Sequence, residues 1–513
     1  MREFLDRYQD DIIGVLSGFD RLLFRGSANG IGYVEGMDKK LLELGIRYNQ
    51  FYSFVKGVSQ SIADHARKVA EEQKRPLLHL NSARGSKEDI ARHIQQKDDI
   101  RNGLICVLTC VEQCQTYSLR RRGEKNWLQL VPERRKCQFI YFYLQDPDFG
   151  FMHVRLQTWL PMTIQVCING REYLARQLSR EGIGFTKCDN CFTQIDDMAR
   201  AQELLDQLVT HDWMTTLNAF AERFNPWCAP QNDLNFRGYY WTIRESELAT
   251  DVMFRDAASL ARIFPTLVRH ALDHFHSPDV LRFFNRRLTK RFGHEINTEY
   301  KEFPEGVRIK HWVEENSIKM YDKYGSVLRV ETTLNEPRRF KVRRLATRQG
   351  REILAWFRLR KGVVDMERRV EICRAANERY FEALAVVAVP TPVKELLDPV
   401  SRPVVRQGRR YRALRPLAPD DAKLLEQLLS GEFAIQGFRN RDVYSRLYSN
   451  VRCTPEERRR ISNRITRSLR LFRAHGLIRK VSHTTYYRVS RKGHLLISTA
   501  TKLRNFSVAQ ISL

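Results

Sequence analysis

A segment near the C-terminus constrains the fold more than any other, because it can bury only one side of a helix. Its apolar residues recur at helical spacing along one face, at Ile461, Ile465, Leu469 and Phe472. The other faces are dominated by arginine, since residues 451–480 hold ten Lys and Arg residues against two glutamates. Thr454 followed by Pro455 is typical of a helix start. The spacing therefore predicts a helix over 455–475 that packs along one stripe and presents cations to a partner.

Two shorter amphipathic helices are predicted before this helix, at 419–429 and 437–447, and two short strands after it, at 476–481 and 486–490. Over residues 420–504 this order resembles the winged helix-turn-helix family. The resemblance implies that the long helix enters a major groove and that the strand hairpin, the wing, touches the adjacent backbone. The candidate nucleic-acid-binding residues of this unit are Arg459, Arg460, Asn463, Arg464, Arg467, Arg470, His483 and Arg488. The alternative is a wing that mediates dimerisation or docks on RNA.

Residues 310–333 alternate polar and apolar side chains over two predicted strands that turn at Gly325. This alternation places Asp322, beside the turn, near the strand that carries Arg329 and Glu331, so carboxylates can meet on one face of the sheet. The alternative interpretation is structural. Asp322 and Glu331 would then pair with a lysine or arginine across the hairpin and stabilise it by a few tenths to about 1 kcal/mol.

The sequence Ile318-Lys-Met-Tyr-Asp-Lys323, followed by Arg329-Val-Glu331, resembles the Tyr-Asp-Lys and Arg-x-Glu motifs of rolling-circle replication initiators of small plasmids and filamentous phages. The resemblance implies that Glu331 binds or supports a metal, that Lys323 lies near the scissile phosphate and that a tyrosine attacks phosphorus. Mg²⁺ or Mn²⁺ would polarise the phosphate, and the tyrosine would form a covalent phosphotyrosine. The candidate catalytic residues are Tyr239, Tyr240, Tyr321 and Lys323. The candidate metal ligands are Glu247, Asp251, Asp322 and Glu331.

The net charge of the chain favours a polyanionic partner. With 87 Lys and Arg against 60 Asp and Glu, the formal charge is +27, and a hydrophobic fraction of 42% is ample for buried cores. A second basic cluster follows the predicted hairpin, because residues 338–369 hold twelve cations against three acids. Its candidate nucleic-acid-binding residues are Arg338, Arg339, Lys341, Arg343 and Arg344. We expect DNA, structured RNA or both as the partner.

The composition disfavours a membrane protein and a protein stabilised by disulfides. The chain has no run of about 20 apolar residues and its first ten residues are charged throughout, so we expect a cytoplasmic protein without a membrane partner. Ten cysteines in 513 residues are too dilute for a disulfide scaffold. Cys188 and Cys191 have the CxxC spacing of a zinc knuckle or a redox pair, but no second CxxC is present. Metal binding and buried thiols both stay open, as does the oligomeric state.

The sequence indicates a multidomain α+β protein, with mixed α/β sheets in the N-terminal and middle regions and a winged helix at the C-terminus. The predicted divisions are a mainly helical region with a buried strand, a sheet domain, a nuclease-like middle domain, a linker and the winged-helix unit, at 1–135, 136–235, 236–389, 390–418 and 419–513. The predicted function is nucleic-acid binding by a protein of a mobile or plasmid-like element, with metal-dependent DNA nicking or strand transfer in the middle domain. The alternative is a non-catalytic DNA- or RNA-binding scaffold or regulator.

Overall fold

The computed structural model describes residues 1–82, 85–122, 127–229, 234, 238–286, 295–303, 306–348, 351–385, 393–429, 433, 437–448, 454–481 and 484–505, with side chains except at 344, 346–348, 351–354, 491 and 502. Its helices are α1 (Arg2–Arg7), α2 (Val34–Glu43), α3 (Phe51–Glu72), α4 (Lys87–Lys97), α5 (Gly170–Glu181), α6 (Met198–Thr210), α7 (Trp213–Phe224), α8 (Ala257–His274), α9 (Ser277–Phe283), α10 (Met366–Leu384), α11 (Val393–Leu397), α12 (Pro419–Leu428), α13 (Asn440–Tyr448), α14 (Pro455–Ala474) and α15 (Arg491–Asn505). None of these described helices combines the length and the apolar character that crossing a lipid bilayer requires.

The strands are β1 (Ile12–Ala28), β2 (Leu77–Leu80), β3 (Gly103–Arg122), β4 (Trp127–Asp146), β5 (Gly150–Gln157), β6 (Ile164–Asn169), β7 (Phe185–Cys188), β8 (Cys191–Ile195), β9 (Tyr239–Phe254), β10 (Ile296–Phe303), β11 (Gly306–Val313), β12 (Asn316–Lys323), β13 (Val327–Thr333), β14 (Lys341–Arg348), β15 (Arg351–Arg358), β16 (Val404–Arg406), β17 (Arg409–Tyr411), β18 (Ile478–Lys480) and β19 (Tyr487–Val489). The pairs β7–β8, β14–β15, β16–β17 and β18–β19 each form a separate two-stranded hairpin.

One large sheet joins the remaining eleven strands, in the order β10-β11-β12-β13-β9-β1-β6-β5-β4-β3-β2. Its neighbours are antiparallel except β2 and β3, which are parallel. The sheet crosses the boundaries predicted at 135/136 and 235/236, because β4 runs through the first and β9 pairs with β1 across both. The α+β class is confirmed, but the expected N-terminal and middle sheets are one sheet. Pairing between strands more than 200 residues apart leaves no local pattern from which it could have been predicted.

Helices cover one face of this sheet around its centre. Trp213 of α7 packs on Phe24 of β1, with ring centroids 4.6 Å apart. Asn377 of α10 donates to the carbonyl of Leu248 of β9 at 3.0 Å, which satisfies a buried polar group on that face. Because successive side chains of a strand alternate, the neighbouring residues of β1, β9 and β13 project to the opposite face. That opposite face carries the charged residues described below.

A β-bulge interrupts the pairing of β1 with β9. Phe19 lies opposite Leu248 and Arg21 lies opposite Glu247, so Asp20 is the additional residue. A bulge bends its strand and redirects a side chain. It places the Asp20 carboxylate on the same face as Glu247.

The C-terminal unit has its own hydrophobic core, separate from that of the sheet. Ile465, Leu469 and Phe472 of α14 are buried in it, on the stripe that the sequence predicts. The predicted linker at 390–418 is structured in its described part, which contains α11 and the β16–β17 hairpin. Val400 and Leu414 from that segment are fully buried in this second core, so they belong to the C-terminal unit.

Candidate metal centre and nucleic-acid interface

Three carboxylates from three strands meet on the charged face of the sheet. Asp20 comes from the bulge of β1, Glu247 from β9 and Glu331 from β13, and one oxygen of each lies within 4.8 Å of the others. We call these residues the acidic triad. Carboxylate oxygens are the ligands that Mg²⁺ and Mn²⁺ prefer. The structure thus brings together two of the predicted metal ligands, Glu247 and Glu331, and adds Asp20.

Glu331 is almost fully buried and has two neighbours on β12. The hydroxyl of Tyr321 donates to Glu331 Oε2 at 2.9 Å. Lys319 Nζ lies 2.7 Å from Glu331 Oε1, so this oxygen takes part in an ion pair. The hairpin therefore contains the cross-strand ion pair that the structural interpretation expects for Glu331, and a metal bound at Oε1 would share this oxygen with Lys319 or displace the ammonium group.

Glu247 has the most perturbed carboxyl group of the triad. Burial and then the charge of Glu331 raise its pKa to about 7, although Lys319 and Arg21 oppose the shift. Lys319 Nζ is 3.9 Å from Glu247 Oε1, too far for a hydrogen bond. Lys319 lies between the two carboxylates, and a divalent cation held by them would add positive charge that favours their ionised forms.

Asp251 belongs to a buried ion cluster beside the triad. Both of its oxygens accept from Arg329, at 2.5 and 2.8 Å, and Oδ2 also accepts from Arg171 Nη2 at 2.9 Å. Burial alone would raise the pKa of this carboxyl, but the charges of Arg329 and Arg171 lower it below its usual range. The predicted metal ligand Asp251 thus lies in a fully partnered structural cluster, and we leave it out of the metal site.

Arg171 reaches this cluster because α5 begins directly at the end of β6. Asn169 Oδ1 caps α5 by accepting from the backbone N–H groups of Arg171 and Glu172, at 2.8 and 3.0 Å. Only glycine fits at the first helical position, since a Cβ at Gly170 would lie 1.8 Å from the Phe19 carbonyl oxygen. The close approach of α5 to β1 places the Arg171 guanidinium beside the β1 bulge.

The turn of the β7–β8 hairpin holds Asp20 in place. Asn190 Nδ2 donates to both Asp20 oxygens, at 2.8 and 2.9 Å, and Arg329 Nη1 lies 3.2 Å from Oδ1. Cys188 and Cys191 lie opposite each other at this turn as free thiols, and burial raises the pKa of Cys191 to about 12. Cys188 and Cys191 thus flank Asn190, the residue that positions the Asp20 carboxylate.

Sequence reasoning missed Asp20 and Asn190. Asp20 had a signal, because it is the one acid in the otherwise mainly apolar run 12–24, where a charge is costly unless it is partnered. The sequence carries no signal for Asn190, because the role of this residue depends on where the β7–β8 turn contacts the sheet.

The three candidate tyrosine nucleophiles occupy different environments. Tyr239 is buried in the core, where its hydroxyl donates to the Met162 carbonyl at 2.7 Å. Tyr240 is 58% exposed and lies seven residues from Glu247 along β9, about 23 Å at 3.3 Å per residue. Of these three, Tyr321 alone contacts the triad. Burial and the charge of Glu331 hold its pKa well above 10, so its hydroxyl is a donor at neutral pH.

Asp322 and Lys323 lie at the end of β12, beside the turn to β13. Lys323 Nζ is 3.6 Å from Asp189 Oδ2 on the β7–β8 turn. Burial raises the pKa of Asp322, which alternation directs away from the face of Tyr321. Both residues line a cavity next to the triad, but neither joins its carboxylates.

Cations without acidic partners continue the charged face beyond the triad. Arg25 of β1 and Arg244 of β9 form no ion pair with another described residue. Burial and the charges of Arg244 and Arg155 lower the pKa of Arg25. Arginines that repel one another beside an acidic centre are suited to the phosphates of a polyanion.

Three of the candidate basic residues after the hairpin, Arg339, Lys341 and Arg343, line a second cavity, of about 840 Å³. Arg338, Arg339, Lys341 and Arg343 are exposed, whereas the side chain of Arg344 lies outside the described residues. Arg339 Nε is 3.1 Å from Glu314, and the Arg343 guanidinium lies 5.1 Å from the exposed ring of Trp356. The cavity wall thus combines cations with an aromatic ring.

Helix α14 presents its predicted cationic face to solvent. The exposed residues on it are Arg459, Arg460, Asn463, Arg464, Arg467 and Arg470. Arg464 makes only a loose ion pair with Asp420, at 3.8 Å between two highly exposed side chains. Arg488 on β19 is also exposed, and His483 lies outside the described residues.

Comparisons of the chain with models of protein families, with curated proteins and with solved structures find no match.

Proposed function

We propose that this protein binds nucleic acid and cleaves its phosphodiester backbone with a divalent metal held by Asp20, Glu247 and Glu331. The observation that carries the proposal is the convergence of these carboxylates within 4.8 Å, on a sheet face that also carries Arg25 and Arg244, which pair with no acid among the described residues. Acids alone would repel a polyanion. A metal on the triad, with cations beside it, gives the same face an affinity for phosphate.

The bound metal would polarise a phosphate oxygen and stabilise the charge that develops on it. In the proposed hydrolysis a water oxygen attacks phosphorus, the bond from phosphorus to the leaving oxygen breaks, and a proton from the water passes through solvent to the leaving oxygen. Tyr321 positions Glu331 through its hydrogen bond. We favour water over Tyr321 as the nucleophile, because burial keeps the phenol protonated. Lys319 lies close enough to Glu331 to offset charge at the centre.

We propose that the C-terminal unit is a winged helix that docks the substrate. Helix α14 is followed by the β18–β19 hairpin, an order suited to a groove-binding helix with an adjacent wing. Asn440 of α13 supports this arrangement, because its side chain donates to the Ser462 carbonyl at 2.9 Å and to Thr466 Oγ1 at 2.7 Å. These bonds fix α13 against α14 and leave the arginine face free.

A second function is favoured by one observation, the 2.7 Å ion pair between Lys319 and Glu331. If this pair persists in solution, it stabilises the β12–β13 hairpin and occupies a triad oxygen. The protein would then be a non-catalytic DNA- or RNA-binding scaffold.

A cleavage assay with the full-length protein separates the two functions. Labelled single-stranded, duplex and hairpin DNA and RNA are incubated with Mg²⁺, Mn²⁺ or EDTA. We expect metal-dependent cleavage that is lost in Glu331→Gln and Asp20→Asn and retained in Glu222→Gln, which changes an exposed glutamate on α7. If the wild type binds these substrates but cuts none with either metal, the catalytic proposal is wrong and the scaffold function stands.

A further inference from the structure

A cavity of about 630 Å³ lies beside the acidic triad, between the ends of β11 and β12 and the β7–β8 turn. Lys319 and Tyr321 form part of its wall, and the same two side chains contact Glu331. The cavity and the triad are therefore separated by a single layer of side chains. Its volume is within the range of small-molecule sites, about 300–1,000 Å³.

Arg308 and Asp322 also line the cavity, but their polar atoms without a hydrogen-bond partner among the described residues, Arg308 Nε and Asp322 Oδ1, are fully buried. The two side chains leave the sheet on opposite faces, because Arg308 lies opposite Tyr321 and Asp322 is the next residue along β12. Neither atom is therefore open to an occupant of the cavity.

The remaining lining residues supply aromatic surface and positive charge. Phe303 is 40% exposed and Tyr324 is 52% exposed. The Arg308 guanidinium lies 4.7 Å from the Phe303 ring centre. Lys319 and Lys323 add ammonium groups on the side that faces the triad and the β7–β8 turn. Aromatic rings bind bases by stacking, and lysines bind phosphate as point charges.

We propose that this cavity binds one nucleotide of the substrate strand, adjacent to the bond at the acidic triad. Its base stacks on Phe303 and Tyr324, and its phosphate contacts Lys319 and Lys323. The inference rests on the proposed function for the identity of the occupant as a unit of nucleic acid. It adds a base-stacking site that the cleavage proposal does not require.

The test is binding of 5′-mononucleotides to the full-length protein in EDTA, by calorimetry or, for weak ligands, saturation-transfer NMR. Inorganic phosphate is the comparison ligand. Tyr324→Asn removes the ring but suits the left-handed backbone at this position, φ 54°. We expect it to weaken nucleotide binding about tenfold, the loss of one stacking contact. Tyr300→Asn, an exposed tyrosine on β10 outside the cavity, should leave the affinity unchanged.

Tyr324→Asn should leave the affinity for inorganic phosphate unchanged, because it removes the ring and keeps both lysines, an outcome that loss of stability alone would not produce. If no nucleotide binds more tightly than phosphate, or if Tyr324→Asn binds as the wild type does, the cavity proposal is wrong. Asp20→Asn separates the two proposals, since Asp20 does not line the cavity. Nucleotide binding without any cleavage refutes the metal centre alone, and cleavage without nucleotide binding refutes the cavity alone.

Discussion

Glu247 and Asp251 lie four positions apart on β9 and face the same side of the sheet, yet their carboxyl pKa values shift in opposite directions. Glu247 is near Glu331 and Asp20, and its pKa rises to about 7. Asp251 accepts hydrogen bonds from Arg171 and Arg329, and its pKa falls. The neighbours contributed by other strands therefore decide which acid is a candidate ligand and which is structural.

The raised pKa of Glu247 predicts a pH-dependent stability. A carboxyl whose folded pKa is above its unfolded value stabilises the fold below about pH 4.5, and that contribution is lost as pH rises to about 7. The shift corresponds to about 3 kcal/mol. We expect Glu247→Gln to reduce this loss, as measured by urea unfolding at pH 5 and pH 8 without divalent metal. Glu222→Gln should follow the wild type, and an unchanged pH dependence in Glu247→Gln would contradict the assignment.

A second prediction concerns the contribution of Asp251 to stability. Asp251→Asn removes the charge that neutralises two fully buried arginines, Arg171 and Arg329. Removing one partner of a buried ion pair costs about 3–5 kcal/mol. We expect a loss of this size in the free energy of unfolding from urea titration. Asp10→Asn, at an exposed position, is the control, and a loss below about 1 kcal/mol would show that the cluster is not stabilising.

Individual elements were predictable where their signal is local. Helix α14 lies within one residue of its predicted bounds, and β12 and β13 turn at Gly325 as predicted, because alternation, the turn glycine and the Thr454-Pro455 start are short-range patterns. Residues 310–313 of the predicted hairpin belong instead to β11. The segment 390–418 was not predictable in this way. Its prolines indicate a linker, but the burial of Val400 and Leu414 depends on a core made by later helices.

The cap at the N-terminus of α14 predicts a measurable contribution to the stability of the C-terminal unit. Thr454 and Glu457 form a reciprocal capping box, with Glu457 N–H donating to Thr454 Oγ1 at 3.3 Å and Thr454 N–H donating to Glu457 Oε2 at 2.8 Å. We expect Thr454→Ala to destabilise the C-terminal unit by about 1 kcal/mol. Hydrogen exchange of α14 amides measures this, and Thr454→Ser should restore protection. Equal protection in Thr454→Ala would mean that the cap does not stabilise the helix.

Across the whole molecule, the candidate site was predictable only in part. Glu331 was identified from the Arg-x-Glu motif of the predicted hairpin, and Glu247 as a further acid of the same predicted domain. Asp20 was not, because it joins them through a bulge and through strand pairing between distant parts of the chain. The two basic clusters could be located from charge alone, whereas the position of Arg25 and Arg244 on the charged face depends on the register of the sheet.

Two separate cores predict that substrate docking and cleavage can be uncoupled. We expect the double variant Arg464→Gln/Arg467→Gln to lower the salt dependence of DNA binding, reducing the slope of log K against log salt by about 2, one for each lost phosphate contact. Fluorescence anisotropy over a salt series measures the slope. The cleavage rate at saturating substrate should stay unchanged. Arg269→Gln, an exposed arginine on α8, is the control, and an unchanged slope in the double variant would contradict groove binding by α14.

The bulge residue and the last member of the triad are 311 positions apart in the chain, Asp20 and Glu331. During translation, a nascent chain that has already exposed 32 of its 65 arginines still lacks the third carboxylate. Such a chain can associate with nearby RNA but cannot assemble the metal centre. Under the proposed function, the enzyme would therefore be harmless to its own messenger until β13 has left the ribosome and paired with β9.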